Sequence, residues 1–454
     1  MGTRVKKTAL VSVFIWFLLF SFQNKSAAGE SGRSQSITIP YKISSHLWHF
    51  KKEEAIPTPL PLIQKIQKAF ELWGSVTDAR INFQYAGLAE SEYNSTSEIP
   101  NDGSIYVVLN SVRAFKRGVA GTGSYQGSIP KKYDNGFVFL NTRKGLYTLK
   151  MKTLLHEIGH ALGLSHTATN AAVMCCGTPA WGDHEFFNLS EQDRADLILK
   201  WNPGSPSLYT ISGRVDTDQE RKFAYVFAVN TLNGHTYSAL TDCRGGFTIA
   251  ILKPGDYRVF VKGYEGSAFS KPVSQSPSWY VSDGYSTNDP YLGTVFSLSS
   301  RKRSIKGIIL QMIEQPVPFN LFWSRSRQPI RFCHSFLQPG VRGIFMISHI
   351  NQNIVSLESY GSRPDYSLSN FRKKYKETYQ VTIDVDPHAE EGERLVVARS
   401  YTGVIQAGLV GIHIIKKRSP DFVPRGNAST RSERFERQLQ GEFDFTKLDP
   451  EYWK

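Results

Sequence analysis

The sequence predicts an α+β domain followed by two all-β sandwich domains in a chain of 454 residues. Around a histidine-rich segment at residues 156–166, apolar residues recur at helical spacing, and short apolar strands precede them. The run Asn-Pro-Gly-Ser-Pro-Ser at residues 202–207 then breaks every regular pattern. Beyond it the chain consists of short apolar or alternating runs separated by turn residues. A chain of this length is typical of about three domains.

The first predicted domain, residues 29–207, combines strands and helices. A helix is expected at residues 61–73, because its apolar residues form one stripe that stops at Gly74. A later helix is expected to begin after Ser190, a good N-cap with acidic residues following it, and to run to about residue 201. Short apolar or alternating runs predict strands at residues 37–43, 81–85, 105–109 and 137–140.

The motif His-Glu-Ile-Gly-His-Ala-Leu-Gly-Leu-Ser-His carries the candidate chemistry of this domain. On a helix, His156 and His160 share one face and can bind one metal ion. Gly163 can adopt the left-handed conformation that ends a helix, which would bring His166 back as a third ligand. Three protein ligands leave a fourth position open for water, an arrangement typical of catalytic zinc. Glu157 lies beside the ligands, where it can act on that water as a general base.

Met174 stands eight residues after His166. A long histidine motif followed by a methionine resembles the metzincin metallopeptidases, and the spacing is most similar to the matrixin branch. The resemblance covers about residues 36–202 and implies the metzincin catalytic fold, a twisted sheet with a zinc helix above a small lower subdomain. It implies that Met174 forms an apolar floor beneath one catalytic zinc ion. It also implies that substrate lies along an edge strand, for which residues 118–124 are the candidate.

Three features depart from the family pattern. No histidine occurs between His49 and His156, so the second, structural zinc of animal matrixins is not expected. No cysteine precedes Cys175, which excludes latency through a cysteine in the open zinc position. Cys175 and Cys176 follow the methionine where the family usually has Tyr-Pro, so the specificity pocket cannot be carried over.

The second predicted domain, residues 208–314, is all-β. Short apolar or alternating runs surround the hairpin dipeptide Asn233-Gly234. The segments Thr-Asp-Cys-Arg-Gly-Gly-Phe and Leu-Lys-Pro-Gly-Asp-Tyr, within residues 241–257, resemble the carboxypeptidase-regulatory-like β-sandwich family. That resemblance implies a spacer or a binding module.

A third domain is predicted at residues 315–415, after the break Gln-Pro-Val-Pro. Val381, Ile383 and Val385 alternate as in a half-buried strand, and we interpret the segment as an immunoglobulin-like sandwich. Residues 416–454 are highly charged and poor in apolar residues, and they are expected to lack fixed structure.

Residues 1–28 resemble a signal peptide, with a basic start, an apolar run at residues 9–22 and Ser-Ala-Ala at the end. The apolar run is short for a membrane span, although an uncleaved anchor is the alternative. We therefore expect a secreted or extracellular protein, with cell-surface or periplasmic retention as variants. No stable membrane span is expected.

The net charge of +14 indicates affinity for acidic surfaces or matrix polymers. No nucleic-acid-recognition motif accompanies the basic residues, so nucleic acid is not an expected partner. The expected function is zinc-dependent cleavage of extracellular proteins or peptides, with zinc as the cofactor. The alternative is a secreted adhesive or matrix-binding protein in which the sandwich domains are the main functional part.

Overall fold

The structure, a computed structural model, describes part of the chain. The predicted signal segment, the charged tail and Cys176 lie outside the described residues. Described are residues 36–49, 54–89, 93, 95–109, 121–141, 151–169, 172–175, 189–216, 223–265, 271–272, 278–282, 285–287, 289–312, 336–337, 339–340, 342–348, 354–375, 378–400 and 405–414.

The first structural unit contains seven strands, three α-helices and two short 3-10 helices at Thr77–Ala79 and Thr96–Glu98 within the described residues. The α-helices are α1 (Leu60–Gly74), α2 (Met151–Ala161) and α3 (Glu191–Trp201). The strands are β1 (Ile37–Ser44), β2 (His46–His49), β3 (Glu54–Pro57), β4 (Ile81–Ala89), β5 (Ile105–Val108), β6 (Gly121–Ser128) and β7 (Lys132–Leu140).

Five of these strands form one sheet in the order β4-β1-β5-β7-β6, while β2 and β3 pair separately. The neighbours β4-β1, β1-β5 and β5-β7 are parallel. The last strand, β6, is antiparallel to β7 and lies at the edge of the sheet. The predicted edge strand at residues 118–124 therefore coincides with β6 from residue 121 onward.

α1 and α2 pack together beside this sheet. α1 has Pro61 as its second residue, and the fixed φ of proline suits the first turn of a helix. Its buried stripe ends at Trp73, whose indole Nε1 donates a hydrogen bond to the carbonyl oxygen of Leu155 at 3.1 Å. This bond connects the predicted first helix directly to the helix of the histidine motif.

The next part of the chain contains only strands among its described residues. They are β8 (Tyr209–Asp216), β9 (Phe223–Asn230), β10 (His235–Leu240), β11 (Gly246–Ile251), β12 (Gly255–Glu265), β13 (Lys271–Pro272), β14 (Ser278–Ser282), β15 (Tyr285–Thr287), β16 (Val295–Leu298) and β17 (Ser304–Gln311). One three-stranded sheet has the order β11-β8-β17. β9 and β10 pair as an antiparallel hairpin around the predicted Asn233-Gly234 turn.

The last described part contains β18 (Phe336–Leu337), β19 (Arg342–Ser348), β20 (Ile354–Ser359), β21 (Tyr366–Tyr375), β22 (Thr378–Val385), β23 (Gly392–Ser400) and β24 (Ile405–Ile414). β19, β22 and β21 form a separate three-stranded sheet. β23 instead pairs with β10, so an 11-stranded sheet runs across the predicted boundary at residues 314 and 315. The separation into two independent sandwiches is therefore not reproduced, because the free edge of β10 is covered by a strand from the later segment.

No helix among the described residues is long and apolar enough to cross a membrane.

Candidate metal centre

α2 carries the first two histidines of the motif on one face. Leu154, Leu155 and Ile158 are fully buried on its apolar side. His156 and His160 are one turn apart on another side of the helix. Their rings converge, with centroids 4.7 Å apart. The helix thus uses one side for packing and another to present imidazoles.

The turn after α2 brings the third histidine to the first two. Gly163 has a φ of 83°, a left-handed conformation that glycine adopts without strain. Leu164 N–H donates to the carbonyl of Gly159 at 3.0 Å, and Gly163 N–H donates to the carbonyl of His160 at 2.9 Å. These two bonds form a Schellman cap, which reverses the chain and leads it to His166.

The Nε2 atoms of His156, His160 and His166 form a triangle. Its three edges measure 3.2, 3.1 and 3.2 Å. Ligands at the usual zinc–nitrogen distance on a tetrahedron are separated by about 3.3 Å, so this triangle fits one zinc ion. Within the described residues these histidines are the one group of three or more potential ligand side chains close enough to share an ion.

The other ring nitrogens determine which atoms face the ion. Nδ1 of His156 lies 2.7 Å from the carbonyl oxygen of Val173, and Nδ1 of His160 lies 2.9 Å from that of Leu164. A carbonyl only accepts, so each Nδ1 donates and leaves the Nε2 lone pair for the metal. Converging lone pairs repel one another, and a cation between them removes that repulsion.

Burial keeps these imidazoles neutral, as metal ligands must be. It lowers the pKa of His156 to about 3 and that of His166 to about 4. Electrostatic repulsion from His160 lowers both pKa values further, by a smaller amount. The pKa of His160 itself is also lowered by burial. The three rings therefore offer electron pairs at neutral pH without first releasing protons.

Glu157 occupies the next position on α2 and is only 7% exposed. Burial raises the pKa of its carboxyl to about 7, and a hydrogen bond from the Gly123 N–H acts in the opposite direction. A carboxyl with a pKa in this range can both accept and release a proton near neutral pH.

β6 passes very close to α2 at two glycines. A Cβ atom at Gly121 would lie 2.8 Å from Cγ of Glu157. One at Gly123 would lie 2.0 Å from the carbonyl oxygen of Glu157 and 3.0 Å from Cβ of His160. Only glycine permits this approach, which brings the edge strand of the sheet alongside the candidate general base.

The segment after His166 packs against α2 and is hydrogen-bonded to α3. Met174 is fully buried, and its Sδ packs so closely on Gly159 that a Cβ atom there would lie 2.3 Å from it. Asp193, in the first turn of α3, accepts hydrogen bonds from the backbone N–H groups of Val173 at 2.9 Å and Met174 at 3.1 Å. The methionine is thus held under the histidine helix by a buried carboxylate.

The same part of the chain matches a known family. Residues 38–198 match the family model of a peptidase family described as Matrixin. These residues form a matrixin domain. The match includes all three histidines, Glu157 and Met174. Matrixins are zinc-dependent metallopeptidases, which agrees with the triangle of histidines.

Other comparisons add little to the matrixin assignment. A search of curated proteins finds no match. An adhesin-like protein from Bacteroides ovatus has 9% identity and a TM-score of 0.15, and the alignment covers 49% of this chain and 94% of that one. The Escherichia coli adhesin FdeC has 9% identity and a TM-score of 0.17, covering 46% and 63%. A Bacteroides ovatus SGBP-B, solved with a mixed-linkage heptasaccharide, has 10% identity and a TM-score of 0.16, covering 47% and 44%. Similarity at this level carries no argument about function.

Two contacts of the matrixin domain were not predicted from the sequence, namely that of Gly123 with α2 and that of Asp193 with the segment at Met174. Gly123 could have been found, because alternating glycines in a strand signal a close backbone approach. Asp193 was interpreted only through its place in the first turn of a helix. It forms a capping box with Ser190, as such a position predicts. Its hydrogen bonds to Val173 and Met174 join residues 19 or more positions apart in the sequence, so they depend on the tertiary fold.

Gly123→Ala is expected to destabilise the matrixin domain by about 1–3 kcal/mol and to reduce peptide cleavage, since the new methyl group meets backbone that cannot move aside. Gly204→Ala is the matched control, because a Cβ there meets nothing within 4 Å. Urea denaturation and peptide hydrolysis of both variants provide the measurement. Equal behaviour of the two variants would contradict the close packing of β6 on α2.

Proposed function

We propose that the chain is a secreted zinc endopeptidase that cleaves extracellular proteins or peptides. The observation that carries the proposal is the triangle of Nε2 atoms 3.1–3.2 Å apart with the buried carboxyl of Glu157 in the adjacent position. The histidines would hold the ion, and the matrixin match supports peptide-bond hydrolysis as the reaction. Secretion is proposed from the signal-like residues 1–28.

Zinc held by His156, His160 and His166 would supply Lewis acidity toward a carbonyl oxygen and would lower the pKa of water to about 7. Glu157 takes the proton of the attacking water and passes it to the leaving amine. The N–H of Gly123 orients the carboxyl during this transfer. A substrate in extended conformation adds to the free edge of β6 through backbone hydrogen bonds.

The proposal is tested on purified full-length protein after dialysis. We expect one zinc ion per chain and cleavage of peptides in an unbiased mixture. A chelator should abolish this cleavage, and added zinc should restore it. Failure to bind zinc, or two zinc ions per chain, would contradict the proposed site. A zinc-loaded protein that cleaves no peptide or protein would instead favour the adhesive alternative.

A further inference from the structure

Strand β10, which lies beyond the matrixin domain, contacts the segment that follows His166. The contact is polar and buried. Gln192, in the first turn of α3, is 2% exposed, and Ser238 of β10 is fully buried. Ser238 N–H donates to Oε1 of Gln192 at 2.8 Å. The helix that anchors Met174 is therefore also bonded to the second part of the chain.

The hydroxyl of Ser238 makes three contacts with residues 167–169. Its Oγ lies 2.6 Å from Oγ1 of Thr167 and 3.0 Å from Oγ1 of Thr169. It also accepts a hydrogen bond from the N–H of Ala168 at 3.2 Å. One side chain from β10 thus engages three consecutive residues of the matrixin domain.

These three residues belong to the segment between the last histidine and the methionine. Thr167 directly follows His166, and its N–H donates to the carbonyl of Met174 at 3.0 Å. The carbonyl of Thr169 accepts from the N–H of Ala172 at 3.0 Å. A shift of residues 167–169 would move the backbone that sets the position of the His166 ring.

A second contact keeps β10 in place. The hydroxyl of Tyr237 donates to the carboxylate of Glu191, the first residue of α3. Lys253 pairs with the same carboxylate at 3.1 Å and with Glu390 at 2.6 Å. Buried donors and acceptors that lose their partners destabilise a protein, so the two surfaces are expected to stay together.

We infer that Ser238 is a positioning residue for the metal ligand His166, and that the second part of the chain thereby completes the metal centre. The inference rests on the proposed zinc site. It assigns to the strand-rich region after the matrixin domain a role in holding the catalytic geometry, in addition to any binding of a partner. Residues that orient metal ligands without touching the ion typically change metal affinity by about 10- to 100-fold when they are replaced.

Ser238→Ala in the full-length protein should weaken zinc binding by about 10-fold, measured by competition with a chromogenic chelator. Thr236→Val is the matched control on the same strand. Its hydroxyl donates to the carbonyl of Gly234, which also accepts from Leu395 N–H, and makes no bond to the matrixin domain. We expect the control to keep the zinc affinity of the unmodified protein.

Thr167→Val removes the partner hydroxyl from the matrixin side and tests the same contact if Ser238→Ala does not fold. Its loss of zinc affinity should be similar, and the double variant should lose less than the two single effects combined. Zinc affinities of Ser238→Ala and Thr167→Val equal to that of Thr236→Val would overturn the inference. Absence of zinc binding in the unmodified protein would overturn the proposed function instead, so the two failures are distinguishable.

Discussion

Glu157→Gln is expected to keep stoichiometric zinc and a normal fold while peptide cleavage falls by about 10²- to 10⁴-fold. The amide has nearly the same shape as the carboxylate, but it cannot accept the proton of the attacking water. Glu157 does not belong to the nitrogen triangle, so metal binding should not depend on its charge. Zinc content and single-turnover cleavage of a peptide, measured on the same preparation, test both parts.

Glu71→Gln is the control for this substitution, because the Glu71 side chain is 66% exposed on α1. Its activity should equal that of the unmodified protein. Near-normal cleavage by Glu157→Gln would reject Glu157 as the general base. Loss of zinc together with activity would show that the carboxylate supports the metal rather than the proton transfer.

His166→Ala is expected to lose zinc and activity together. The binding free energy of a structural zinc ion with four ligands is about 10–16 kcal/mol, or roughly 3–4 kcal/mol per ligand. Loss of one ligand should therefore reduce zinc affinity by about 10²- to 10³-fold. The histidine lies on the segment after Gly163 and not on α2, so the helix should form without it. Chelator competition gives the affinity, and circular dichroism tests the fold.

His388→Ala is the matched control, because His388 is exposed and far along the chain from the triangle. It should bind zinc as the unmodified protein does. If His166→Ala retained full zinc affinity, a different group would have to supply the third ligand. Comparison with Glu157→Gln then separates the two roles, since one variant loses the ion and the other only the proton transfer.

The predicted break at residues 202–207 lies between two parts of the chain that differ in secondary structure but share a core. It correctly marked the change from helices to strands, because α3 ends at Trp201 and β8 begins at Tyr209. It was also predicted to separate two domains, residues 29–207 and 208–314. Leu208 and Ala250 instead belong to the core of the first structural unit, so the following strands pack on the matrixin domain.

Local information was enough to identify the helices, the motif and the family. The stripe of α1, the cap at Ser190 and the spacing of His156 and His160 each depend on residues a few positions apart. Periodicity and capping report such relations directly. For the same reason, the place of Gly163 after α2 could be predicted from the motif alone, and its φ of 83° agrees with that prediction.

The sequence by itself determined which residues could bind zinc, in which order, and that a matrixin-like domain precedes a strand-rich region. Only the tertiary structure decided how that site is supported. The contact of Gly123 with α2, the bonds of Asp193 to the backbone at Met174, and the contact of Ser238 with Thr167 join residues 19 to 71 positions apart. No local pattern encodes such contacts, because they form only when separate elements pack and their buried polar groups must find partners.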